Sequence, residues 1–195
     1  MVFLFYVYLP MLDINFDPFP VLETERLVLR RTILDDANDY FGLRSNPEAM
    51  KYICKPLQTS VEETKDLIYK INEMINFNDG ISWAVCLKNN NKMIGTVSFH
   101  KIDKDNHRAE IGYMLHPDFW RMGIISEAVE TIINYGFTSL KFHSIEAHID
   151  PKNIGSEKVL LKSNFVKEAY FKENFFYNDQ FLDTAIFSLL NRTSG

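Results

Sequence analysis

The stretch of this chain best suited to chemistry is the loop Trp120-Arg121-Met122-Gly123-Ile124-Ile125-Ser126, which follows an apolar run ending at Leu115 and leads straight into a helical pattern. The first amides of a helix have no internal partners and point outward, and the helix dipole adds partial positive charge there. A glycine lets backbone approach a ligand closely. Gly123 at such a start therefore suits an anion, a diphosphate above all, and Arg121 can add a charge-assisted contact. A plain strand-to-helix turn with a capping glycine has the same local sequence, so this feature alone leaves both readings open. Metal chemistry finds no support. The histidines, His100, His107, His116, His143 and His148, fall into no ligand spacing. Cys54 and Cys86 form no CxxC pair and read as reduced thiols in a cytoplasmic protein.

The elements that must position this loop follow from periodicity. Residues 22–31 (LETERLVLRR) alternate from Leu27 and predict a first strand, and Asp35 to Asn46 predict a helix stopped before Pro47. Ser60 and Glu63 form a capping box ahead of a helix over 60–77, whose face carries Val61, Thr64, Leu67, Ile68, Ile71, Met74 and Ile75. Strands follow at Trp83–Leu87, Lys92–Ile102 and His107–Leu115. A helix over Gly123–Leu140 comes next, then a strand at Ser144–Ile149 and a helix at Asn153–Lys162. Two closing strands are expected at Phe165–Phe171 and Phe175–Leu189. The order implies an α/β fold with a mixed sheet.

A chain of 195 residues with net charge −5 supports one domain and shows no basic stripe for nucleic acid. Met1 to Leu9 are almost wholly apolar but too short to span a bilayer. They fit an added strand, a weak export signal or a start codon placed too early, and residues 1–20 are set apart as an N-terminal extension of a domain over 21–191.

Taken together, the motifs resemble the GNAT acetyltransferases, and within them the RimJ/RimL-type branch that acetylates N-terminal amines of ribosomal proteins. The similarity rests on Glu110-Ile111-Gly112-Tyr113, on Trp120 to Ile125, on Ser126-Glu127-Ala128, and on the first-strand segment Glu23 to Arg30. It extends through Asn153-x-x-Ser156 with Asn164-Phe165, and Asp183-Thr184 with Phe187-Ser188-Leu189. The chain departs from the pattern at Arg121 and Ile125, where small residues are usual, and at Phe175, where ribosomal-protein members can carry a catalytic Glu.

The resemblance implies a central, mostly antiparallel sheet of about seven strands, splayed at the site of acetyl-CoA. Backbone near Tyr113, Met114 and Leu115 would bond the pantetheine arm, with the amide near Leu115 serving a developing oxyanion. Amides of Met122, Gly123, Ile124, Ile125 and Ser126, with Arg121, would meet the phosphates. Asn153 would hold the arm from the other side. Ser156 would steady or protonate the sulfur, although a serine at a helix start also bonds backbone. Glu110 shares a strand face with Gly112 and Met114 and is the candidate base, acting through a water. A sheet-surface glutamate paired with a neighbour fits the same position. Glu173 is a second candidate. The implied reaction moves acetyl from acetyl-CoA to a primary amine, on a small molecule or a peptide or protein N-terminus. It needs no metal, nucleic acid or membrane, and suits a monomer or homodimer. A noncatalytic acyl-CoA-binding module is the alternative from another class.

Overall fold

The computed structural model describes residues 10–192. Its strands are β1 (Leu22–Glu23), β2 (Leu27–Arg31), β3 (Ile81–Leu87), β4 (Met93–Asp103), β5 (Arg108–Leu115), β6 (Ser144–Ile149), β7 (Val166–Tyr177) and β8 (Gln180–Leu190). Its helices are α1 (Ala37–Arg44), α2 (Pro47–Met50), α3 (Val61–Asn76), α4 (Ile124–Thr138) and α5 (Ile154–Lys162). The strands form one sheet in the order β1-β2-β3-β4-β5-β6-β8-β7. Neighbours run antiparallel except β5 and β6, which are parallel. Among the described residues the sheet has eight strands rather than about seven because the stretch 22–31 is folded back on itself. Thr24 Oγ1 accepts from Leu27 N at 2.9 Å and splits off β1 as a short strand.

Side-chain alternation gives the sheet two buried faces. On one, Val129, Ile132 and Ile133 of α4 and Leu160 of α5 pack in a core with Val97, Phe99, Ala109 and Ile111. On the other, Tyr40 and Leu43 of α1 and Ile68 of α3 pack with Ala84, Cys86, Met93 and Met114. Burial pushes the Cys86 thiol up to about 11, although the nearby Arg30 charge opposes the shift. Both cysteines are free thiols. Among the described residues no helix is long and apolar enough to cross a membrane.

Three expectations change against the structure. The segment set apart as an extension contributes to the core: Leu12, Ile14 and Phe16 are 9%, 6% and 2% exposed. Leu12 N donates to Lys104 O at 3.1 Å, and Trp83 Nε1 donates to Pro20 O at 2.7 Å. Residues 11–20 thus belong to the packed body, while the readings of Met1 to Leu9 lie outside the described residues. The last hairpin turns at Asn178-Asp179, with φ of 50° and 59°, not near residues 172–174. Asn and Asp tolerate the left-handed conformation that a two-residue hairpin demands, and β7 absorbs the mismatch in a bulge between Phe171 and Phe175. Finally, Ser60 caps α3 through Glu63 N, but the Glu63 carboxylate reaches Thr59 N at 3.1 Å, one residue earlier than the capping box predicts.

Candidate active site

The parallel pair β5/β6 is held by three register pairs only, Arg108↔Ser144, Ala109↔Ile145 and Glu110↔Glu146. Beyond them β5 stays on β4 as far as Gly95↔Leu115, and β6 stays on β8 as far as Ile149↔Ala185. The two strands therefore separate, and a gap opens in mid-sheet. His116 N donates to Ile94 O at 2.8 Å, which sets the phase of the β4/β5 ladder. Antiparallel alternation then turns the polar backbone of Gly112 and Met114 toward β4 and that of Tyr113 and Leu115 toward the gap. Of the three backbone positions expected to meet a ligand, Tyr113 and Leu115 face it. Met114 gives its backbone to β4 and its side chain to the core under α1 and α3. Trp120 Nε1 donates to Leu115 O at 2.8 Å, fixing the strand end beneath the loop.

The loop itself is built from two left-handed residues, Arg121 at φ 62° and Gly123 at φ 73°. Gly123 is the N-cap of α4 and offers no side chain to cap it, so the first helical amides stay directed outward. Arg121 and Met122 are exposed, whereas Ile124 and Ser126 are buried. Ile125 packs against the main core, so its bulk does not crowd the loop. The loop is anchored from the far end of the chain. Arg26 Nη1 donates to Met122 O at 2.9 Å and Arg26 Nε to Glu127 Oε2 at 2.7 Å, and Thr24 Oγ1 donates to Glu127 Oε1. Burial pushes the Glu127 carboxyl up, but the bonds from Thr24 and Arg26 win and hold it below its ordinary range. The first-strand and helix motifs thus fit together as a clamp. An open cavity of about 630 Å³ adjoins that clamp, lined by Gly123 of the loop, by Arg26 and Lys162, and by Glu23, Glu25, Glu127 and Glu130.

Asn153 is the N-cap of α5, and its side chain accepts from Ser156 N at 3.0 Å. The Asn-x-x-Ser spacing is therefore first a helix start. It also presents Ser156, 8% exposed, to β5, where Ser156 Oγ lies 2.7 Å from Tyr113 Oη. Burial pushes the Tyr113 phenol up to about 12, against the lowering effect of its bond to Ser156. Tyr113 accordingly keeps its proton at any working pH. The sequence reading valued Tyr113 for its backbone and missed this hydroxyl pair, which depends on α5 folding back onto β5.

On the opposite face, Glu110 is the hub of a charged cluster. His100 Nε2 lies 3.1 Å from Glu110 Oε1, and Lys101 Nζ lies 2.6 Å from Oε2. Adjacent strand residues ordinarily point to opposite faces. His100 and Lys101 both reach Glu110 because Lys101 sits at φ 49° in a bulge of β4. Gly112 makes room for this arrangement: a Cβ there would lie 2.9 Å from the His100 ring. Burial alone would raise the Glu110 pKa, but the bonds from His100 and Lys101 and the fields of His100 and His148 bring it down to about 2. Glu173 lies on exposed β7, where its N–H donates to Asp183 Oδ1 at 2.8 Å, in a different neighbourhood from Glu110. Among the described residues no group of three or more His, Cys, Asp or Glu is placed to hold a metal ion.

Residues 26–166 match the family model described as the acetyltransferase (GNAT) domain. The chain belongs to the GNAT acetyltransferases. It is 39% identical over 171 residues to the uncharacterized N-acetyltransferase p20 of Bacillus licheniformis, covering 88% of this chain and 96% of that one. A ribosomal-protein-serine acetyltransferase of Escherichia coli is 33% identical over 99 residues, covering 50% of this chain and 54% of that one. Among solved structures, a GNAT-family acetyltransferase from Bacillus anthracis superposes with a TM-score of 0.79 at 28% identity, over 88% of this chain and 98% of that one. A spermidine N-acetyltransferase from Vibrio cholerae, solved with CoA and spermine, superposes with a TM-score of 0.75 at 24% identity, over 86% and 96%. This GNAT enzyme is thus an acetyl-CoA-dependent N-acetyltransferase, built on the splayed sheet its sequence implied.

Proposed function

We propose that this GNAT enzyme acetylates a peptide or protein N-terminal amine, with acetyl-CoA lying across the gap between β5 and β6. The observation that carries the proposal is the gap itself. It is edged by the amides of Tyr113 and Leu115, the Gly123 loop opens beside it, and the Tyr113–Ser156 hydroxyl pair stands on one of its faces. The loop amides and Arg121 would hold the phosphates. The amides of Tyr113 and Leu115 would bond the pantetheine arm as an added strand, and Leu115 N would donate to the carbonyl oxygen as charge develops on it. Tyr113 and Ser156, sharing one hydroxyl proton relay, would deliver a proton to the departing thiolate.

The α-amine is favoured by similarity to the ribosomal-protein acetyltransferase and by the chemistry of the acceptor. An α-amine has a pKa of about 7.7–8.0, so roughly a tenth or more of it is neutral at pH 7. A second reading, a cationic small amine such as a polyamine, is favoured by the carboxylates Glu110 and Glu146 beside the gap. Thiol release from acetyl-CoA, measured across N-terminal peptides, polyamines and amino sugars, separates the two. Turnover confined to small amines would overturn the peptide proposal, and acetyl-CoA binding without turnover on any amine would make the protein an acyl-CoA-binding module.

A further inference from the structure

The amine must lose a proton as it attacks, and Glu110 is poorly placed to take it directly. Its oxygens are engaged by His100 and Lys101 at 3.1 and 2.6 Å, and a carboxylate with a pKa of about 2 is far from the neutral range where a general base works best. A different group lies next to it. His148 follows the last β5/β6 pair on β6, so it stands on the opened edge. Its neighbour Ala147 points into the core under α4. By strand alternation His148 points to the other face, the face of Glu110. That is the face opposite the Tyr113–Ser156 pair.

The two imidazole nitrogens differ. Nε2 lies 3.1 Å from Glu146 Oε2, while Nδ1 lies 3.9 Å from Glu110 Oε2, beyond hydrogen bonding. Glu146 therefore holds the tautomer with the proton on Nε2 and leaves the Nδ1 lone pair basic. Glu146 is itself fixed by Arg108 Nη1 at 2.7 Å. The charged groups facing the ring are Glu146 on its own strand and Glu110 and Arg108 on β5. Lys101 of β4 is bound to Glu110, Asp103 of β4 lines the same pocket 3.6 Å from Arg108 Nε, and His100 lies behind Glu110. From β8 the register neighbours are uncharged, Ile186 and Ser188. Three anions, Glu146, Glu110 and Asp103, meet two permanent cations, Arg108 and Lys101, and the nearest contacts to the imidazole are the anions.

We infer that His148 is the proton acceptor of acetyl transfer, with Glu146 positioning its ring. This rests on the acetyltransferase reading above. The amine nitrogen forms the C–N bond with its lone pair, and its N–H proton passes to His148 Nδ1. The C–S bond breaks with its electrons on sulfur, and the sulfur takes its proton from the Tyr113–Ser156 pair on the other face. His148 then returns its proton to solvent, which also restores the hydroxyl pair. The balance is one amine and one thioester consumed, one amide and one thiol formed.

The test measures acetyl-CoA affinity by calorimetry, and kcat/KM against pH on the best amine of the panel, for the parent, His148→Gln, His100→Gln and Glu146→Gln. The parent should show an enzyme limb from His148, below the limb of the amine itself. His148→Gln should lose that limb and fall by about 10²–10⁴-fold at pH 7, with acetyl-CoA affinity within about twofold of the parent as its nucleotide site is untouched. Glu146→Gln removes an anion from the imidazole and should move the limb to lower pH, which a purely structural effect would not do. His100→Gln should keep the limb. Persistence of the limb in His148→Gln, or its loss in His100→Gln instead, overturns the assignment. A parent that binds acetyl-CoA but acetylates no amine overturns the enzyme reading and this inference together, and is recognised because the variants then have nothing to lose.

Discussion

Gly123→Asp probes the proposed phosphate loop at a point expected to tolerate size but not charge. Gly123 sits at φ 73°, and a Cβ added there meets nothing nearer than Arg26 Nη2 at 3.6 Å. The left-handed conformation costs an L-residue about 1–2 kcal/mol, less for Asp and Asn, which visit it with local hydrogen bonds. The fold should survive, with Tm lowered by about 2–8 °C for a chain of this size. Ligand binding should not survive so well. A carboxylate about 5 Å from a phosphate charge, at an effective dielectric of about 20, is opposed by about 3 kcal/mol. That is about two decades of affinity. Arg26 faces the same Cβ and offsets part of this, although it is already bonded to Glu127. We therefore expect a ten- to hundredfold loss relative to Gly123→Asn, the neutral isostere that carries the same backbone strain. Calorimetric titration with CoA at low and high salt is the assay, and the Asp–Asn difference should shrink as salt rises. Asp and Asn variants that both bind CoA as tightly as the parent would refute the loop as the phosphate site.

Other expectations follow from particular contacts. Tyr113→Phe and Ser156→Ala should each lower kcat more than acetyl-CoA affinity, and the double variant should lose little more than either single one, because one proton relay is broken in all three; additive losses in kcat would separate the two hydroxyls. Phe16→Ala should destabilise the fold by about 3–5 kcal/mol in urea titration, since Phe16 is buried in the main core, and a loss below about 1 kcal/mol would return residues 11–20 to the status of an extension. Glu110, whose folded pKa of about 2 lies below the ordinary 4.5, stabilises the fold fully above about pH 4.5, and that contribution is lost as pH falls toward 2. Its size is at most about 3 kcal/mol, discounted because Lys101 is exposed to solvent. Glu110→Gln should flatten the acid limb of stability over that window, and an unchanged limb would show the ion pairs to be without net effect.

The sequence revealed local features better than distant ones. The Gly123 loop, α4 and β6 were legible because each is fixed by residues close in sequence: a glycine before a 3.6-residue apolar repeat, or a short alternating run. The final hairpin was misplaced because Lys172-Glu173-Asn174 looks as polar as a turn, while the turn itself, Asn178-Asp179, is flanked by aromatics on both strands. The packing of Leu12, Ile14 and Phe16 was hidden by a low local propensity that tertiary burial overrides. The charged cluster was hidden for a different reason. Glu110 is adjacent to Glu146 and His148 only through a parallel register between strands about 35 residues apart, and to Lys101 only through a bulge, neither of which has a local signature. Met114 shows the limit of naming a whole strand segment, since alternate residues of β5 turn their amides in opposite directions.

The three-pair seam between β5 and β6 has a mechanical consequence. The protein is in effect two hydrogen-bonded plates, β1 to β5 and β6 with the closing hairpin, welded at one end and parted at the other. A ligand whose own amides bridge the parted edges becomes a temporary strand, and it stiffens the plates against each other as well as filling a site. Amide exchange at Tyr113 and Leu115 should then slow on binding to match the interior strands, and the two plates, joined when empty by three register pairs and the core beneath α4, should open as one cooperative unit when occupied.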